Sequence, residues 1–479
     1  MSLASTAIRG AYFTSLALAA RQLISFLTIF YLARILAPAD FGLAAMVMVV
    51  VAFAQVVGDV GFSAGLVRTQ QTSAVAYSTC FWIGIGIGLV LAVLMALAAP
   101  LAAWFYEEAA VVPLLRVAAI GLLINFCMPV PLAILQQRLG YKEIAVAQAS
   151  GSVLGALTAI ACATAGLGIW SLVLQPIVGN IASLALMLFR AGWLPKRQFE
   201  LATVRDILRD GMNLLGSGLS QYASNNFDTF VIGRALDSQD LGIYSMTRTV
   251  LYAPNYLITS VVSRVIFPLL AKIQDELPKV RDAVLTAAAR TGLLAFPLYL
   301  GMLVVADDFV RLAFGPNWQG MVPLLRVMIL PAMVQSIGHI ASPILVALGA
   351  SRLAFRLSLA GALFYFVVLI SVIGLGLQAV AYGYALAHSL IGALSILLAV
   401  RQAGIRKRDF AMAVGKPLLM AAAMAALVFL LALELATLSP LARMATLIAA
   451  GALIYALLIV TFERAAWRQV RQAFSRKAG

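Results

Sequence analysis

The chain of 479 residues is 63% hydrophobic and only 11% charged, with a mean hydropathy of +0.99; soluble domains run at roughly 45–50% and about 25%. That much apolar surface cannot be buried in a water-soluble core, and many long apolar runs exclude a globular domain on one anchor. The formal net charge of +15 raises nucleic acid as a partner, which the placement of the cations then excludes.

Fourteen membrane-spanning helices are predicted, at 11–33, 41–63, 75–98, 110–131, 144–165, 168–189, 211–233, 241–262, 283–305, 321–343, 354–374, 378–399, 411–435 and 441–462. The first is no cleavable signal, because the apolar stretch from Tyr12 to Tyr31 is too long and Arg21 interrupts it. Cys80, Cys127 and Cys162 each fall inside an apolar run, at no metal-ligand spacing, and read as small buried hydrophobes. With the N-terminus inside, the outer side receives only Arg34, Arg116, Arg234, Arg248, Arg311, Arg326 and Arg443 of the 34 Lys and Arg. Arg21 falls mid-span, and the rest lie on the inner side. The basic surplus is a topology signal that puts both termini in the cytoplasm of a bacterial inner membrane.

The chain is written twice. Residues 32–46, LARILAPADFGLAAM, align without gaps to 232–246, IGRALDSQDLGIYSM, at an offset of 200. Glu107–Glu108 meets Asp307–Asp308 at that offset, and VPLLRV at 112–117 recurs at 322–327, now at 210. Six spans separate equivalent points, so the halves enter the membrane in the same orientation, as parallel repeats with a substrate path at their interface. The division is an N-terminal six-helix lobe at 1–195, a second at 196–410, and two extra helices with a basic tail at 411–479. The hinge loop 190–210 carries Leu201, Val204, Ile207 and Leu208 at helical spacing among cations, and Trp467, Val470 and Phe474 do so in the tail. Both fit an anionic lipid surface, and both fit plain positive-inside anchoring.

Polar residues inside spans are costly and mark wet pathways. On the first helix Thr14, Arg21, Ser25 and Thr28 share a face; on the seventh Asn213, Ser217, Ser220, Ser224 and Asp228 do, with Gln221, Asn225 and Asn226 beside them. The 200-residue offset maps Arg21, Ser25 and Thr28 onto Gln221, Asn225 and Asp228. In the second and eighth helices Gln55 and Asp59 map onto Asn255 and Thr259, and Met48 onto Arg248. Helices 4, 6, 11 and 14 read as almost wholly apolar. The candidate substrate-binding residues are Arg21, Ser25, Gln221, Asn225, Asn226, Arg248 and Asn255. Arg21 reads either as an anchor for a phosphate or diphosphate or as a structural partner of Asp228 or Asp59. Asp228 and Asp59 are candidates for proton or sodium coupling, since a carboxylate in a low-dielectric cavity binds a cation more readily than one in water. His339 and His388 read as packing or local hydrogen bonding. No Gly-rich phosphate loop, Ser–His–Asp set, paired carboxylates or zinc spacing appears in a loop large enough to carry chemistry, so no ATP-driven or enzymatic step and no cofactor is expected.

LARILAPADFGLAAM followed by Gln55, Asp59 and GFSAGLVRTQ, and later NNFDTFVIGRALDSQDLGIYSM with SRVIFPLLAKIQ, resembles the polysaccharide transporter family. That family holds the Wzx-type flippases, within the multidrug/oligosaccharidyl-lipid/polysaccharide exporter superfamily. The resemblance covers about 1–410 and sits nearest the exopolysaccharide and colanic-acid-like branch. It implies an all-α membrane protein of two six-helix bundles in a V around a central cavity, plus two C-terminal helices. The implied partner is an undecaprenyl-diphosphate-linked oligosaccharide moved from the inner to the outer leaflet, alongside membrane lipids and polysaccharide polymerase or export machinery. The alternatives weighed are a cation-coupled multidrug antiporter on the same fold, for which Arg21 and Arg248 are the wrong charge, and a glycan polymerase or ligase, which needs a large catalytic loop.

Overall fold

The computed structural model describes residues 20–59, 73–201 and 205–463; the side chains of 205–217, 255–269 and 271 lie outside the described residues, as do those of Thr14 and of the basic tail. Among the described residues fourteen helices run in order: α1 (20–35), α2 (Pro38–Gly58), α3 (Ala74–Tyr106), α4 (Val111–Gln137), α5 (Tyr141–Thr164), α6 (Trp170–Ala191), α7 (Arg205–Ala235), α8 (Ser238–Ile273), α9 (Leu277–Ala313), α10 (Met321–Ala347), α11 (Ser351–Val372), α12 (Leu377–Gln402), α13 (Lys407–Glu434) and α14 (Pro440–Phe462). No strand occurs among the described residues. Eleven of these helices are long and apolar enough to cross a membrane, and the protein is a multi-pass membrane protein.

Local chemistry sets the helix ends. Ser73 Oγ accepts the Ala76 amide at 3.1 Å to open α3, and Ser439 followed by Pro440 opens α14. Helix α3 has 33 residues, α8 36 and α9 37. At about 1.5 Å per residue each exceeds the ~30 Å hydrocarbon layer and carries its end into water. Helices α4 and α10 are each broken, into Val111–Cys127 and Pro129–Gln137, and into Met321–Gly338 and Ala341–Ala347. Pro131 collides with the carbonyl of Cys127 and Pro343 with that of His339, so neither helix runs straight through.

The backbone repeats where the sequence does. Leu139 and Gly349 both take positive φ (54° and 75°), as do Gly166 and Gly376 (78° and 93°), each pair 210 residues apart. The turn bonds repeat too: Gly140 N–H to Leu135 O at 2.8 Å, Ala350 N–H to Leu345 O at 2.7 Å.

Two compact units result, Met1–Ser245 and Met246–Gly479. The division falls inside α8 and not at the repeat boundary near 195, because α7 packs on α2 of the first repeat: the buried Tyr222 donates its hydroxyl to Val49 O at 2.6 Å. In the first unit the segment after α6 is strapped to α3. Trp82 Nε1 donates to Lys196 O at 2.8 Å, while the buried hydroxyls of Ser78 and Thr79 accept the amides of Lys196 and Glu200 at 3.2 and 3.0 Å. Cys80 is buried in the apolar cluster beneath this strap.

In the second unit α13 and α14 pack on α9. Arg443 in the first turn of α14 makes a two-pronged bond to the buried Asp308 (Nε–Oδ2 2.6 Å, Nη2–Oδ1 2.5 Å), and Tyr455 donates to Leu293 O at 2.9 Å. Lys416 meets Glu463 at 2.7 Å, joining α13 to the end of α14.

Candidate functional site

Helix α7 has two chemically different faces. Gly218, Tyr222, Phe230 and Gly233 form the packed side: Gly218 sits against Val56, Tyr222 stacks near Phe53 (centroids 5.6 Å) and Phe230 near Tyr106 (6.4 Å). Ser220, Gln221, Ser224 and Asn225 occupy the other side and are exposed. The row falls within the span predicted at 211–233, and amides and hydroxyls at such a depth are stable only where water or a polar partner reaches them, as Ser220 O takes the Ser224 hydroxyl at 2.9 Å. Asn226 lies at the edge, half-buried, with Nδ2 on its own helix at Tyr222 O, 3.0 Å.

Asp228 parts from this row. It is 3% exposed, and its carboxylate accepts the Tyr244 hydroxyl at 2.7 Å and the Thr229 amide at 2.8 Å. The helical period aligns it with Gln221 and Asn225, but α8 closes over it and ties α7 to α8. The face on α1 grades the same way: Arg21 is exposed, Ser25 half-buried, and Thr28 buried with its hydroxyl on Ile24 O at 2.8 Å. Asp59 is exposed at the C-cap of α2. The side chain of Asn255 lies outside the described residues.

Helices α2 and α8 cross at equivalent glycines. A Cβ on Gly42 would lie 1.7 Å from Ser238 O, and one on Gly242 1.8 Å from Pro38 O. The crossing is therefore backbone against backbone, and any side chain forces it apart. It lies at the end where α2 and α8 begin, where Asp240 is half-buried; burial and the neighbouring Asp237 carboxylate raise its pKa.

Two polar ties join the fourth and sixth helices of each repeat. In the first, Asn180 Nδ2 donates to Asn125 Oδ1 at 3.0 Å. In the second, Gln335, which stands 210 residues after Asn125, donates to the Tyr384 hydroxyl at 3.2 Å. There the tie grows into a cluster. The hydroxyls of Tyr252 and Tyr384 are 2.8 Å apart, and the Arg248 guanidinium lies 5.3 Å from the Tyr252 ring centroid. The His388 ring stacks on Tyr384 (3.9 Å) and meets the edge of Tyr365 on α11 (4.6 Å), with Nδ1 3.1 Å from Tyr384 O. His388 thus makes the local hydrogen bond expected of it, whereas Tyr252, Gln335, Tyr365 and Tyr384 were missed. The repeat held one signal for them, since Gln335 is the amide matching Asn125.

Residues 31–323 match the family model described as polysaccharide biosynthesis protein, well over half of the chain. The chain belongs to the polysaccharide biosynthesis protein family. This member is 26% identical over 362 residues to the lipopolysaccharide biosynthesis protein WzxC of Escherichia coli (strain K12), covering 74% of this chain and 73% of that one. It is 29% identical over 424 residues to the teichuronic acid biosynthesis protein TuaB of Bacillus subtilis (strain 168), covering 85% and 86%. Among solved structures, the inward closed conformation of lipid II flippase MurJ superposes with a TM-score of 0.77 at 16% identity, covering 95% of this chain and 99% of that one. An inward-facing multidrug resistance MATE transporter of the MOP superfamily follows with a TM-score of 0.61 at 16% identity, covering 80% and 94%. The all-α fold of this polysaccharide biosynthesis protein is therefore that of the flippase and multidrug-transporter structures it superposes on.

Proposed function

We propose that the protein is a flippase that carries an undecaprenyl-diphosphate-linked oligosaccharide from the cytoplasmic to the periplasmic leaflet of a bacterial inner membrane, by alternating access, for exopolysaccharide or O-antigen-type synthesis. The observation that carries this reading is the exposed row Ser220, Gln221, Ser224 and Asn225 on α7, back to back with a packed face. Each sugar hydroxyl left without a partner in hydrocarbon costs roughly 2–7 kcal/mol, so a glycan of many hydroxyls does not cross unaided. Amides and hydroxyls at membrane depth remove most of that barrier, and exposed Arg21 supplies paired donors for a diphosphate. The names of the relatives, all from polysaccharide synthesis, point the same way, as does the likeness to a lipid II flippase.

With the cell interior negative, each anionic charge moved outward gains about 2.3 kcal/mol per 100 mV. Potential alone supports export, and cation coupling runs through Asp228 in preference to Asp59, because of the two only Asp228 is buried. Both termini are placed in the cytoplasm by the loop cations.

The test is removal of the gene followed by analysis of the inner-membrane lipids. The lipid-linked oligosaccharide accumulates on the cytoplasmic leaflet, and Arg21→Ala restored in its place leaves export at least tenfold down with the protein inserted at normal level. No accumulation on deletion ends the reading; normal export with Arg21→Ala removes Arg21 as the diphosphate anchor. Asp228→Asn that exports normally at every external pH and sodium level removes the coupling role.

A further inference from the structure

The two repeats solve one structural problem with unequal amounts of polar material, and the excess has a direction. Joining the fourth to the sixth helix takes a single amide pair in the first repeat, Asn125 and Asn180. At the places of Arg248 and Tyr252 the first repeat has Met48 and Ala52, and at those of Tyr365, Tyr384 and His388 it has Gly155, Leu174 and Val178. A guanidinium, three phenols and an imidazole gathered on α8, α11 and α12 are far more than the joint needs, and polar groups on helices predicted to span a membrane persist where a ligand uses them.

Hydrogen bonds hold the cluster together: Gln335 donates to the Tyr384 oxygen, and the Tyr384 and Tyr252 hydroxyls share a bond of 2.8 Å. Tyr384 is 4% exposed and Tyr365 7%, so they form the backing layer, while Tyr252 and Arg248 are only half-buried. A half-buried aromatic ring with a guanidinium over one face and a phenol held at its tip matches a sugar: the other ring face takes the apolar C–H face of a pyranose, the phenol a ring hydroxyl, and the guanidinium an anionic neighbour.

We propose that the second unit carries a sugar-recognition subsite in which Tyr252 stacks on one sugar ring of the lipid-linked glycan and Arg248 binds the anionic group next to it. Tyr384, Gln335 and His388 are positioning residues. The proposal rests on the flippase reading. The anion has two sources of one chemistry, the carrier diphosphate and an acidic sugar.

The experiment measures binding of two probes to the full-length purified protein in nanodiscs: the undecaprenyl-diphosphate-linked oligosaccharide extracted from the deletion strain, and undecaprenyl diphosphate without sugar. Tyr252→Leu, which keeps much of the volume, weakens the glycan-bearing lipid about tenfold, the cost of one well-used contact, and leaves the sugar-free lipid unchanged. Tyr252→Phe gives a smaller loss and Tyr384→Phe a smaller one still, both for the glycan-bearing lipid only. The double variant gives no more than Tyr252→Phe, because Tyr384 acts through the Tyr252 hydroxyl; a purely structural role for Tyr384 gives instead additive losses for both probes. Arg248→Gln weakens both probes where the diphosphate is the anion, and the glycan-bearing probe alone where the anion is an acidic sugar. Wild-type protein that binds the glycan-bearing lipid no more tightly than Tyr252→Leu overturns the subsite and leaves the flippase reading standing. Wild-type protein that binds neither probe overturns both.

Discussion

The acidic pairs at the ends of α3 and α9 occupy equivalent places in the two repeats and do different work. In the first, Glu107 sits in the left-handed C-cap of α3 (φ 58°) and meets Arg234 at the end of α7 at 2.8 Å, with both side chains exposed (69% and 47%). In the second, α9 runs on through Asp307 and Asp308; Asp307 meets Arg326 in the open, and the buried Asp308 takes the fork of Arg443 from the added helix α14. An ion pair in water contributes little, whereas a forked pair shut away from it leaves a bare charge when one partner goes. The charges recur in both repeats, and the packing of α14 on α9 makes a joint of one pair where the other is a surface contact.

The sharpest way to break that comparison is Arg443→Ala. It strands the buried Asp308 and is expected to lower stability by about 3 kcal/mol or more, read by thermal unfolding in detergent and by new protease cleavage between α13 and α14. Equal sensitivity at Glu107 would show that the two pairs do not differ. Next in size is the glycine crossing, where the halves are alike. Gly42→Ala and Gly242→Ala should each cost about 1–3 kcal/mol and by similar amounts, since each Cβ meets a carbonyl oxygen at under 2 Å; a tolerant Gly242 would mean the crossing is not symmetric. Smaller is the amide tie of the first repeat. Asn125→Leu alone should cost about 1 kcal/mol, and adding Asn180→Leu should recover most of it, since two apolar groups leave no unpaired amide. Smallest is Glu107→Ala, expected within about 1 kcal/mol of wild type at low salt and closer at high salt.

The helices and their number were legible because long apolar runs have one outcome in a membrane. The repeat was legible because its matches are local, such as Arg34 and Asp40 against Arg234 and Asp240. The helix lengths were less so. Hydropathy marks where α9 leaves the hydrocarbon, and nothing in it stops the helix from continuing through Asp307 and Asp308 to Ala313. Within the candidate site, Gln221 and Asn225 stand on one exposed face as the 3.6-residue period requires, whereas Asp228 is covered by Tyr244, a partner on another helix that no period reveals. The Arg248 cluster draws on α10, α11 and α12, up to 140 residues downstream in sequence, and only folding assembles it.

The Gly42–Gly242 contact is made of main chain alone. Neither position can therefore be tuned by choice of side chain: between glycine and disruption the seam admits no intermediate, and the spacing of the two helix starts is fixed by the thickness of the main chain itself.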